Sequence, residues 1–191
     1  MNILTEALPD TVEIDGIDYP INTDYRAALR VIMAFEDDEL TDYERQVILL
    51  SGLYPSPPPN LAGALDQAQI FLNGGKASEP DDTPTGPRVY SFSKDANFIY
   101  SAFKQTHNVD LQTADLHWWQ FLALFMDLGT ETTFCQLTGL RKRIKTGKAT
   151  KEERAAAREM GDLITVPEPD TRTLEEKEME EQFMALVGKG K

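Results

Sequence analysis

The sequence predicts a mainly α, multi-helix single domain with an N-terminal β-hairpin and a C-terminal amphipathic helix. Three observations carry that reading. Apolar residues recur at three- and four-residue spacing through most of the chain. They alternate with polar ones only over 12–21, and Pro167 and Pro169 set off a last amphipathic stretch. The domain is assigned to 1–166, with the hairpin at 11–22 and a mobile loop at 76–89; 167–191 are a linker and terminal helix. About six to eight helices of ordinary length fit that span.

Val12 and Ile14, then Ile17, Tyr19 and Ile21, alternate across Asp15-Gly16, a pair suited to the two positive-φ positions of a tight turn. A lone hairpin is marginal in water, so its apolar face must rest on helices. Thr23 is the expected cap of a first helix, with Tyr25, Ala28, Leu29, Ile32 and Phe35 on one face. Glu36-Asp37-Asp38-Glu39 ends it against the helix dipole and reads as a solvated charge run. Thr41 and Glu44 form a capping-box pair for a second helix carrying Tyr43, Val47 and Leu50. Prolines at 55 and 57–59 exclude helix there. Asn60 caps a third, with Leu61, Leu65, Ala68 and Leu72 inward, ended by Asn73-Gly74-Gly75.

From Lys76 the composition turns to Pro, Asp, Thr and Gly without an apolar anchor, the reason for expecting a mobile loop over 76–89. Ser93 is the expected cap of a helix with Ala96, Ile99, Tyr100 and Phe103 on one side, ending near Asn108. The next helix, expected to start at Asp110 or Thr113, carries apolar residues all round its axis from Leu116 to Leu128, which predicts burial on several sides. Another, near 131–144, has Phe134, Leu137 and Leu140 before it turns basic; 151–160 is charged and Ala-rich. After the prolines, Leu174, Met179, Phe183, Leu186 and Val187 form an apolar seam opposite Glu and Lys. Two readings of that seam stand side by side: docking into a partner's groove, or folding back on its own domain.

With 191 residues, folding buries roughly 70% of the unfolded chain's surface, so no metal or disulfide staple is required. The formal net charge of -13 argues against a nucleic-acid or anionic-membrane binder. The charge is uneven: residues 1–50 hold 12 acidic and 3 basic side chains, whereas 141–166 hold 8 basic and 4 acidic. Such ends can meet within a chain or between copies, or each can be a solvated face. The opening residues lack a signal-peptide layout and no apolar run reaches membrane length, so a cytoplasmic location is expected.

The inventory for catalysis is thin. His107 and His117 lie in different predicted helices without ligand spacing, and Cys135, beside Phe134 and Leu137, reads as a small buried hydrophobe. His117 reads as a polar residue at the rim of an aromatic core. The acidic run lacks the spacing of a calcium loop, and no phosphate-cradling motif follows Gly74-Gly75. The basic stretch 141–148 has no aromatic interleaving and is read as facing an acidic protein surface rather than nucleic acid. No enzyme, cofactor or metal site is expected.

Three blocks resemble the gp-fifteen family of siphophages and prophages. The first is Leu4-Thr5, Leu8-Pro9, Val12, Ile14, Gly16, Tyr19, Ile21 and Thr23-Asp24-Tyr25-Arg26. The second is Tyr90-Ser91-Phe92-Ser93, Asp95-Ala96, Ile99-Tyr100, Ala102-Phe103 and Val109-Asp110-Leu111. The third is Leu116-His117-Trp118-Trp119, Phe121, Ala123-Leu124-Phe125, Leu128, Phe134 and Leu140-Arg141. His117, Trp118, Trp119 and Phe121 are the most specific part. The stretch 54–89 and the tail beyond 165 have no counterpart in the resemblance. It implies a tail-assembly chaperone encoded near the tape-measure gene, coating the tape-measure protein, helping recruit tail-tube subunits and absent from the finished virion. Self-association is compatible with that role. Rival readings are a structural virion component, such as a completion or connector protein, and an acidic DNA mimic acting through 1–50.

Overall fold

The structure, a computed structural model, describes residues 2–77 and 86–166. Strands β1 (Thr11–Ile14) and β2 (Ile17–Pro20) form the antiparallel hairpin, with Val12 opposite Tyr19 and Ile14 opposite Ile17. Its turn is Asp15-Gly16, with φ of 54° and 76°, the two left-handed positions that the residue pair led one to expect. Ile14 and Ile21 are buried; Ile17, beside the turn, stays exposed. Among the described residues seven helices follow: α1 (Tyr25–Phe35), α2 (Asp42–Leu53), α3 (Leu61–Leu72), α4 (Ala96–His107), α5 (Trp118–Met126), α6 (Thr133–Lys145) and α7 (Lys151–Met160). A 3₁₀ turn over Gly161–Ile164 closes the described chain, an element the sequence pattern did not reveal.

Several helix ends obey the local chemistry directly. Thr41 and Glu44 exchange both capping-box bonds at the start of α2, Asn60 caps α3, and Asn108 ends α4 in the left-handed conformation. Three starts differ. Asp24 caps α1, accepting from the Arg26 N–H at 2.7 Å, because the neighbouring Thr23 carbonyl is taken by the Trp118 N–H. Asp95, not Ser93, precedes α4, and its carboxylate makes no cap bond because it is turned toward Arg141. Helix α5 begins only at Trp118, since Leu116 and His117 run extended beside Thr23 and Asp24.

The buried faces are set by small residues more than by large ones. In α1 the buried side chains are Tyr25, Ala27, Ala28 and Val31, whereas Phe35 lies 45% exposed. In α2 they are Leu49 and Leu53, leaving Tyr43 and Val47 outside. In α3 they are Ala64, Ala68 and Phe71, with Leu61 outside. Alanine and glycine let these helices approach closely: a Cβ on Gly52 would sit 3.1 Å from Val31 Cγ2. Close approach buries the small-residue stripe and turns some larger apolar side chains outward, which the expected faces for Phe35, Tyr43, Val47 and Leu61 missed.

Phe121 stands at the centre. Its ring stacks with Tyr25 (centroids 5.0 Å apart), Phe103 (4.9 Å) and Trp118 (5.5 Å), and reaches Phe92 and Phe125. Phe125 and Tyr90 extend the aromatic cluster to Phe134 on α6. One continuous apolar core thus joins the hairpin with α1 to α6. Tyr54 enters it with its hydroxyl donating to the Ala64 carbonyl, and burial pushes that hydroxyl's pKa up to about 12.

Two charged residues assigned to the surface prove to be internal ties. Glu36 accepts from the Ser91 hydroxyl (2.6 Å) and the Phe92 amide (3.1 Å) and pairs with Arg88 at 2.5 Å, so it is not part of a solvated run. Arg141, expected in a basic surface stretch, lies against Asp95 with both side chains at most 1% exposed. It also donates to the Val89 and Leu163 carbonyls. Of the expected mobile loop 76–89, Arg88 and Val89 are therefore anchored; 78–85 lie outside the described residues, as does the whole segment 167–191.

Candidate functional site

The His-Trp-Trp triplet is built from three separate tasks. His117 caps α5: its Nδ1 accepts from the Trp119 N–H at 2.9 Å, and Gln120 returns a bond to the His117 N–H. With Nδ1 accepting, Nε2 carries the proton and donates to the Pro9 carbonyl at 3.0 Å. The two indoles reach across to α3, Trp118 donating to the Leu72 carbonyl at 3.0 Å and Trp119 to the Phe71 carbonyl at 2.8 Å. These are carbonyls that a helix C-terminus leaves without intrahelical partners. Gly74 also donates to Phe71, and Gly75 to Ile70. Gly75 has φ of 84°, and a Cβ there would lie 2.7 Å from the Trp119 ring, so both backbone and space require glycine. Trp118 and Phe121 are core; His117 and Trp119 are half-buried, as a rim residue and a flanking one.

By fixing α3 to α5, the two tryptophans leave a gap between α1, α2, α3 and α5. It is an open groove of about 620 Å³, with Trp118 and Phe125 among its lining residues and Phe35, Leu65, Leu72 and Met126 along it. Its polar contributions are amides and one phenol: Gln46, Gln69, Asn73 and Tyr90. Burial, then the charge of Glu36, raise the Tyr90 pKa, with Arg88 opposing. Among the described residues no charged side chain lines the groove. A second depression, of about 670 Å³, shares Leu72, Asn73, Leu122 and Met126 with the first and continues past Trp119 to Ile3. Met126, 82% exposed, stands on the ridge between them. The result is a long, mainly apolar surface, with Lys76 lining the second depression, the kind that receives an amphipathic helix.

The sequence pattern placed Phe35, Leu122 and Met126 in the core, and so missed this surface. A signal was present: α5 is apolar on every side, and nine residues cannot all be covered by the few neighbours they have. The seam Leu174, Met179, Phe183, Leu186 and Val187 lies outside the described residues. Other chemistry-bearing side chains are held apart by backbone partners. His107 bonds the Leu124 carbonyl and Cys135 the Leu128 carbonyl. Among the described residues no group of three or more His, Cys, Asp or Glu could hold a metal ion, and no helix is long and apolar enough to cross a membrane.

Residues 4–165 match the family model described as Bacteriophage Gp15 protein. The chain belongs to the bacteriophage Gp15 family. The match spans all three blocks in which the resemblance was read, and it ends one residue before Val166, the last described position. Gp15 membership makes this a phage protein of the structural or assembly kind. No curated protein and no solved structure matches the chain.

Proposed function

We propose that this Gp15-family chain is a tail-assembly chaperone that binds and solubilises the tape-measure protein and helps recruit tail-tube subunits. It does so without catalysis, in the host cytoplasm. The observation that carries the reading is the long, mainly apolar groove with Met126 and Phe35 exposed along it. A tape measure is a long helical protein whose apolar stripe needs temporary cover, and a groove between helices is the complementary shape. Burying an exposed Met or Phe fully against such a helix contributes about 1.5–3 kcal/mol each before the ordering costs of association. The net charge of -13 keeps many bound copies soluble and mutually repelling outside the contact. Nucleic acid and membrane are not partners in this reading.

The second reading, a structural virion component such as a completion or connector protein, is favoured by family membership alone, since it needs the same fold and acidity. Mass spectrometry of purified particles beside infected-cell lysate separates the two. A chaperone is abundant in lysate and missing from particles. Stoichiometric retention in washed particles would overturn the chaperone reading in favour of the second.

A further inference from the structure

We infer that the apolar groove has an occupant within the same chain, the C-terminal stretch around Met179, Phe183, Leu186 and Val187. Three observations point to it. At helical spacing those four side chains fall within an arc of about 100°, a single apolar face, while Leu174 and Glu181 fall on the opposite side. Glu178, Glu180 and Glu181 lie off that face, Glu176 near its start falls within the arc, and among the described residues no charged side chain lines the groove to repel them.

The last turn of the described body also comes near one wall of the groove. Arg141 donates to the Leu163 carbonyl and to the Val89 carbonyl through one guanidinium, so the last turn sits against the residue preceding Tyr90. Tyr90 lines the groove, and Val166 is buried three residues after Leu163. Between Val166 and Met179 the chain can span up to about 40–45 Å when extended, and prolines at 167 and 169 favour extension. Reach is therefore ample.

A tethered segment competes at an effective concentration on the order of millimolar, which a second copy of the chain does not reach in solution. Self-occupancy would cover Phe35 and Met126, both exposed on the described body. Any helical partner would then have to displace the segment, lowering its apparent affinity by the fraction of chains that are closed. The inference concerns the chain alone and stands or falls independently of the chaperone reading.

Cross-linking of the full chain tests it. In a Cys135→Ser background, Met126→Cys is paired with Phe183→Cys on the apolar face, or with Glu181→Cys on the opposite face. Both are oxidised at low protein concentration and read by intact mass and non-reducing mobility. The expected result is an intrachain disulfide forming about tenfold faster for the first pair than for the second. Equal rates for the two pairs would overturn the proposal, because the segment would then be unseated. A predominant interchain disulfide would also overturn it, in favour of a second copy as occupant. Because both variants are substituted at Met126 and at one tail position, a folding defect in the body would affect them alike and leave their ratio readable.

Discussion

Phe121→Ala should lower the stability of the folded body by about 3–5 kcal/mol, the range for emptying a fully buried phenylalanine site. Phe121 is 0% exposed and holds stacking partners from three directions: Tyr25 on α1, Phe103 on α4 and Trp118 on α5. Each aromatic pair adds about 0.5–1.5 kcal/mol beyond area burial, and the rigid rings around the site cannot collapse into the space. Urea unfolding followed by tryptophan fluorescence measures it, since Trp118 lies on the stack. Met126→Ala is the matched control on the same helix and should change stability by no more than about 0.5 kcal/mol. Equal effects at the two positions would contradict the arrangement of α5 described above.

Arg141→Met should be comparably damaging, at about 3–5 kcal/mol, for an electrostatic reason. The guanidinium makes two bonds to Asp95, at 2.7 and 3.0 Å, in a site closed to solvent. Removing it leaves a buried carboxylate with the Ser91 amide as a remaining donor and frees the Val89 and Leu163 carbonyls. Combining Arg141→Met with Asp95→Asn removes the stranded charge, so the double variant should be more stable than Arg141→Met alone. A double-mutant cycle by chemical denaturation gives the coupling directly. Strict additivity of the two substitutions would contradict a buried, mutually dependent pair.

Arg141 and Glu36 illustrate what the sequence could not disclose. Each was surrounded by like residues, Arg141 in Arg141-Lys142-Arg143 and Glu36 in Glu36-Asp37-Asp38-Glu39, and the natural reading was a solvated face. Their partners, Asp95 and Arg88, lie 46 and 52 positions away, so no local pattern links them. Local chemistry was far more legible. The Asp15-Gly16 turn, the Thr41–Glu44 box, the Asn60 cap and the Asn108 terminus all follow from neighbours within a few residues, and all are found in place.

The site was legible in half. His117, Trp118, Trp119 and Phe121 stood out as rare residues in fixed order, but their tasks depend on where α3 ends. The indoles serve the Phe71 and Leu72 carbonyls, 48 and 46 positions away. That tie holds the groove open at one side. Phe35 and Met126 were read as core because large apolar side chains are expected inward, whereas Ala28, Ala64 and Ala68 took the closest contacts. An all-apolar α5 is better understood as serving two surfaces, one packed inside the fold and one left for something else to cover.

Co-expression with the tape-measure protein of the same genome, followed by size-exclusion chromatography with mass determination, tests the central claim most directly. The expected result is a soluble complex carrying many copies of this chain per tape measure, where the tape measure alone is insoluble. Loss of that complex is expected with Met126→Glu, a substitution at an 82%-exposed position that leaves the core intact. An insoluble tape measure beside a free, folded chain would contradict the account, and so would a complex indifferent to the charge placed at Met126.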